Sequence, residues 1–128
     1  MSGEISGILN NPTTELVLRA LDAGVLRHAV HAANIANASV EGYHPLQVSF
    51  EDQLAAARTA LLGRDDAAAR RAIDSLEAQV RPDPTDRPVQ ADREVALMME
   101  NAVRYEALLA ALGKSGALIR LAIREGRN

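Results

Sequence analysis

Three histidines, a serine in a glycine-flanked run and two pairs of carboxylates are the residues whose types and spacing could do chemistry. His28 and His31 lie three apart, so a helix would set them on one face as a metal pair. Glu41-Gly-Tyr-His44 has the Glu-x-x-His spacing of helical di-iron sites, but such a site needs two copies of the motif and two more carboxylates on facing helices. Here one copy stands, and it spans a glycine turn. No metal site is expected: His28 belongs in or beside a helix seam, and the other two histidines in solvent. Ser115 sits in Gly-Lys-Ser-Gly (113–116), half of a phosphate loop. The upstream glycine of that loop would fall at position 108, which is Leu108, and no strand precedes it. Gly113 and Gly116 therefore read as close-approach points on a packed helix. Asp65-Asp66 and Asp92/Glu94 fall at helix starts, where acids favour the macrodipole, so capping is expected of them. Lys114, Arg120, Arg124 and Arg127, opposed by Glu125, complement a helix C-terminus in the same way. No catalytic residue and no cofactor is expected.

Ala32-Ala-Asn-Ile-Ala-Asn-Ala38 has a different character. Its small residues let another backbone come close. Asn34 and Asn37, at i and i+3, can then hydrogen-bond to that backbone or cap the helix end.

The elements that must position these residues are legible in outline. The chain has 128 residues, enough for one domain with a modest core. Ala fills 24 positions and Leu 16, while aromatics make up only 2 %. Ala and Leu favour helix, and strands want β-branched and aromatic residues, so the expected class is all-α. The net charge of −3 lacks the basic excess of a nucleic-acid binder, so no nucleic-acid partner is expected. With no cysteine there is no disulfide or thiolate chemistry. No apolar run approaches the ~20 residues of a membrane span. The start lacks the basic and apolar regions of a cleaved secretory signal, and residues 1–13 read as a flexible arm.

A first helix is expected over 14–38, capped by Thr14. Leu18, Leu21, Val25, His28, Ala32 and Ile35 follow each other at 3, 4, 3, 4, 3, the spacing of a coiled-coil seam. Gly42 and Pro45 make 39–50 an extended or turning segment with Phe50 anchoring its end. Middle helices are expected over 51–80, broken at Gly63, the second capped by Asp65 or Asp66 and burying Ile73, Leu76 and Val80. Three prolines, Pro82, Pro84 and Pro88, make 81–91 a stiff linker. A last helix is expected over 92–125. There Val95, Met98, Ala102, Tyr105, Leu109, Leu112, Gly116, Ile119 and Ile123 keep an unbroken 3, 4 alternation. A charge at Leu109 in such a seam would cost on the order of several kcal/mol. Second apolar rows, Leu97 and Leu108 among them, exceed what a helix wet on most sides carries, which implies partners outside the chain.

Ala33-Asn-Ile-Ala-Asn-Ala38, then Gly42-Tyr43 and Phe50, resembles the N-terminal signature of the flagellar rod, hook and filament-type axial proteins. Val89-Gln-Ala-Asp-Arg-Glu-Val95, then Glu100-Asn101, Arg104-Tyr105, Leu108-Leu109, Lys114 and Ile119, resembles the C-terminal helix of the proximal rod members. The two stretches span 15–50 and 89–127. The short chain, with no large central domain, also fits the proximal rod. One departure stands out. The family has Thr-Pro before Gly-Tyr, where this chain has Val40-Glu41, so no proline fixes φ there.

The resemblance implies an antiparallel coiled coil of the N- and C-terminal helices, lining the inside of a tubular polymer that transmits torque and houses an export channel. It implies export from the cytoplasm by the flagellar type III apparatus without a cleaved signal. The implied place is the basal body, in the periplasm-spanning rod. The implied partners are other copies of the chain, other rod subunits and membrane-ring adaptor proteins, and a free monomer that completes its folding on assembly. The residues it marks for assembly are Ala33, Asn34, Ile35, Ala36, Asn37, Gly42, Tyr43, Asn101, Tyr105, Leu109, Leu112 and Ile119. The alternative is a soluble all-α adaptor or chaperone that holds a partner helix in a groove.

Overall fold

The structure, a computed structural model, describes residues 11–126, with the side chains of 115–123 in the last helix left out. Helix α1 spans Pro12–Ala36. Strand β1 spans Leu46–Ser49, helix α2 Glu51–Leu62, helix α3 Asp66–Asp74, strand β2 Gln79–Pro82 and helix α4 Ala91–Glu125. The chain is mostly helical, but not all-α: β1 and β2 form an antiparallel two-stranded sheet, with Val48 opposite Val80. Residues 1–10 of the expected arm lie outside the described residues.

Local chemistry sets the boundaries. Asn11, not Thr14, caps α1: its side chain accepts from Thr13 N at 2.8 Å, and Pro12 takes the first helical turn, where a missing N–H costs nothing. Asn37 ends the helix, donating its side-chain amide to the Ala33 carbonyl at 2.8 Å. The chain then turns over 40–43, where Tyr43 N donates to Val40 O and Gly42 has φ +78. That φ suits the third position of a type II turn and favours glycine; Glu41 holds the second position, where proline is preferred.

Asp65 caps α3, accepting from Ala67 N and Ala68 N at 3.0 and 3.1 Å. This helix stops at Asp74, well short of the expected Val80. Ser75 closes it, and Glu77 N donates to the Gln53 side chain at 2.8 Å, drawing the chain out straight. Val80 then pairs across the sheet and is exposed, while Ile73 and Leu76 are buried as expected. The proline segment is also less of a linker than expected, because Arg81 and Pro82 belong to β2. Pro82 lies opposite Leu46, a position where no ladder N–H is required. An Asx-turn follows. Thr85 donates its hydroxyl and its backbone N–H to Asp83, and these bonds hold the Asp83 carboxyl below the usual carboxylate range, helped by Arg93 and Arg87.

Ala23, Phe50, Ala57, Ile73 and Leu76 form a small core between α1 and the α2–α3 pair. Burying a side chain such as Ile73 contributes about 1.5–3 kcal/mol. Beside this core, α1 and α4 pack along one another and run antiparallel. Asn34 and His31 meet Glu94, and Gly24 meets Asn101 and Tyr105.

The apolar heptad row packs only in part: Leu21 is buried and Tyr105 lies against Gly24, but a neighbouring row carries much of the contact. On α1 it is Ala20, Gly24, Arg27, His31 and Asn34; on α4 it is Glu94, Leu97, Asn101, Arg104 and Leu108. Each row lies one residue N-terminal to the expected seam, a turn of about 100° for each helix. Leu18, Val25, His28, Ala32, Val95, Ala102 and Leu109 are consequently exposed. Polar contacts favour this rotation. Asn34 and His31 meet Glu94 and Asn101 meets the Gly24 carbonyl across the helix pair, and Gly24 lets the Tyr105 ring lie against the α1 backbone.

Candidate functional site

Asn34 is fully buried, and all four of its hydrogen-bonding capacities are used. Its amide donates to Leu46 O at 2.8 Å and to Glu94 Oε2 at 3.2 Å. Its oxygen accepts from Leu46 N at 2.9 Å and from the Tyr43 hydroxyl at 3.0 Å. The ladder geometry explains the double contact with Leu46. Asp83 N donates to Pro45 O, so residue 45 faces β2 and residue 46, opposite Pro82, turns its N–H and C=O outward. The Asn34 carboxamide takes both, as a third strand would. The backbone that approaches this asparagine therefore belongs to its own chain.

Glu94 lies in the first turn of α4, yet it does not cap. It turns inward and meets His31 Nδ1 at 2.7 Å as well as Asn34. His31 is therefore not in solvent, contrary to expectation; its side chain is about 15 % exposed. His28 is exposed, as is His44, whose Nδ1 lies 3.5 Å from Asp86. Asp92 accepts from Arg93 N at 3.0 Å. Among the described residues no group of three His, Asp or Glu side chains is placed to hold a metal ion.

Two helical turns on, Asn101 is buried and donates to the Gly24 carbonyl at 2.9 Å. A Cβ added to Gly24 would stand 3.1 Å from Tyr105 Cδ2. The close approach is thus at Gly24. At Gly113, where it was expected, a Cβ meets nothing within 4 Å among the described residues; Gly116 and Ser115 lie outside the described side chains.

The residues marked for assembly separate into groups. Asn34 and Tyr43 tie the end of α1 to the turn at Gly42, Asn37 bonds back to Ala33 within the helix end, Ala33 and Ile35 are half-buried, and Ala36 and Gly42 are exposed. Asn101 and Tyr105 lie between α1 and α4, so they join parts of one chain. Leu112 is half-buried, Leu109 is 44 % exposed, and the side chain of Ile119 lies outside the described residues. Gly24 escaped the sequence reading, although a glycine in mid-helix was a signal for it; His31 and Glu94 were weighed but given other roles, His31 in solvent and Glu94 as a cap.

Two surfaces flank the helix pair. On one side Val25 and Ala102 open to solvent beside His28 and Glu106, Val95 and Leu109 continue that heptad row along α4, and the exposed Met99 and Val103 lie further round the helix. On the other, a groove of about 420 Å³ runs between α2 and α4 over the floor of α1, lined by Ala20, Phe50, Leu54, Tyr105 and Leu108. Arg27 stands at its edge, paired with Glu51 and 5.8 Å from the centre of the Phe50 ring. No helix among the described residues is long and apolar enough to cross a membrane. Compared with models of known protein families and with curated proteins, the chain finds no match.

Proposed function

We propose that the chain is a structural subunit of the bacterial flagellar basal-body rod, of the FlgB-type proximal rod, and not an enzyme. The observation that carries this reading is the number of exposed large apolar residues on both long helices. Leu18, Val25, Val95, Met99, Val103 and Leu109 are each 44 % exposed or more, although most of them follow the heptad spacing of a packed seam. Apolar surface this extensive marks an interaction site. In this reading the long helices form their coiled coil on that flank, with neighbouring copies and other rod subunits. The Asn34 cluster fixes the helix end and turn that the axial signature spans. Export by the type III apparatus and contact with ring adaptors complete the role.

Deletion of the gene tests the reading. Cells without it are expected to lack rods, hooks and filaments and to stop swimming in soft agar, with recovery from the wild-type gene. The protein itself should be found in purified basal bodies. Intact flagella in the deletion would overturn the reading and leave the helix-holding adaptor in its place.

A second test separates assembly from folding. Leu109→Asp introduces a charge at a site open to solvent in the single chain, so its stability should change by no more than about 0.5 kcal/mol. Melting of the purified variant should match the wild type, while cells carrying only this variant should not swim. A melting temperature far below wild type would mean Leu109 supports the fold of the single chain.

A further inference from the structure

Helix α4 outruns the helix it pairs with. It has 35 residues against the 25 of α1. Asn34 meets Glu94 near the start of α4, and Gly24 meets Tyr105 further along. That register brings Pro12, the first residue of α1, level with about residue 116, so roughly the last nine residues of α4, about 13 Å of helix, run past it. No other described helix packs along α4. In sequence this overhang is apolar and basic. It holds Leu118, Ile119, Leu121 and Ile123 together with Arg120 and Arg124, and Glu125 is its one acid. Ile119 and Ile123 continue the heptad row that begins at Val95, so the helix-pairing pattern runs on where α1 has ended. Arg124 is exposed and takes part in no ion pair among the described residues.

The flank on which Val25 and Ala102 open has the opposite charge. Glu106 stands there on α4, among the exposed Val95, Ala102 and Leu109, and no lysine or arginine lines the opening. Asp22 is exposed on α1, three residues before Val25, and the register sets it level with Glu106. Neither acid takes part in an ion pair among the described residues. An apolar seam bordered by free acids fits an apolar helix bordered by cations. The overhang is such a helix, yet it cannot serve its own chain: α4 is continuous from Ala91 to Glu125, so its end does not fold back onto Ala102. We propose that the C-terminal overhang of α4 in one copy lies along the α1–α4 flank of another. The two surfaces lie on different parts of one chain, which makes the contact head-to-tail, the kind that builds rings or open helical filaments. This inference rests on the reading of the chain as a self-assembling subunit, and it names the part of a neighbour that the flank receives.

Thiol–disulfide exchange between copies tests it, because the chain has no cysteine of its own. Ala122→Cys, in the overhang, is converted to its mixed disulfide with thionitrobenzoate. A second full-length copy carries a free thiol at Ala102→Cys, an exposed position on the flank. Attack by the thiolate that Ala102→Cys introduces forms the inter-copy disulfide and releases thionitrobenzoate, whose colour gives the rate. A third copy, Ala56→Cys, carries its thiol at an exposed position of α2. Each rate is divided by that of the same thiol with a small uncharged disulfide. Docking should raise the Ala102→Cys rate at least about tenfold over Ala56→Cys through effective concentration. Adding Glu106→Arg to the flank copy should lower that ratio at least about threefold, since the cations of the overhang then meet a like charge. Equal rates for the two thiols overturn the contact, and they would result if residues 1–10 of the same chain covered either surface. A ratio that ignores Glu106→Arg overturns the docking mode. Both results hold even where the deletion strain lacks rods, while intact flagella in that strain would count against the rod reading and leave the exchange rates as measured.

Discussion

Asn34→Leu is expected to destabilise the chain by about 3–5 kcal/mol, since a buried group left without its partner costs about 1–3 kcal/mol. The leucine is close to isosteric and keeps the helix propensity, so the loss is that of the carboxamide. Four partners lose it together: the N–H and C=O of Leu46, the Tyr43 hydroxyl and Glu94. Water reaching the outer side of Tyr43 offsets part of the cost, which keeps the figure below the sum of four groups. Thermal melting followed by circular dichroism should fall by about 15 °C at a few degrees per kcal/mol. Asn37→Leu, which removes one carbonyl contact at the helix end, should cost only about 1 kcal/mol. If the two variants melt together, the buried cluster does not hold the turn and strand to the helix pair.

The contrast between these asparagines shows what the sequence could convey. Both stood out as carboxamides in a run of small residues, and both of the roles foreseen for them occur, backbone binding at Asn34 and capping at Asn37. What the pattern could not convey was that the bound backbone is Leu46, twelve residues on in the same chain. Long-range strand pairing leaves a weak local trace. Leu46–Ser49 and Gln79–Pro82 are four residues each, too short for alternation to distinguish them from turns. The end of α3 was lost for the same reason: the residues after Ser75 have good helix propensity, and only the pairing of Val80 with Val48 and the Gln53 contact pull them straight.

The long helices give a sharper lesson. Hydrophobic periodicity located both of them, but it placed only part of the face on which they meet within one chain: Leu21 and Tyr105 are covered, while Leu18, Val25, Val95 and Leu109 are exposed. Periodicity reports which row is apolar, and an apolar row can be covered by the chain itself or by something else. Here the inner row mixes small and polar residues with two leucines, Leu97 and Leu108. It is held by hydrogen bonds that have geometric requirements, and so it fixes how the helices are rotated more strictly than leucines would. In the proposed assembly that division has a use: the polar row sets the subunit's shape, and the apolar row stays open for neighbours.

Gly24→Leu is the substitution that tests this division most directly. Gly24 lies where α1 and α4 come close, with the Tyr105 ring over its Cα and its carbonyl accepting from Asn101. Alanine adds one Cβ at 3.1 Å from the ring, a contact that a small ring shift can relieve. The gain in helix propensity, up to about 1 kcal/mol, offsets the strain, so Gly24→Ala should be near neutral. Leucine adds three more carbons to the same space. It forces Tyr105 out or the helices apart, and separation breaks the Asn101 bond as well. Overpacking of this kind costs about 1–3 kcal/mol, and the orphaned, buried Asn101 amide adds about 1–3 more. The leucine variant should therefore unfold at a clearly lower denaturant concentration than the alanine variant, with its Tyr105 environment altered in the near-ultraviolet spectrum. Equal midpoints for the two variants would mean that α1 and α4 do not meet through Gly24. The inner row would then be free to rotate back, and the apolar heptad row would be the one that joins the helices inside a single chain.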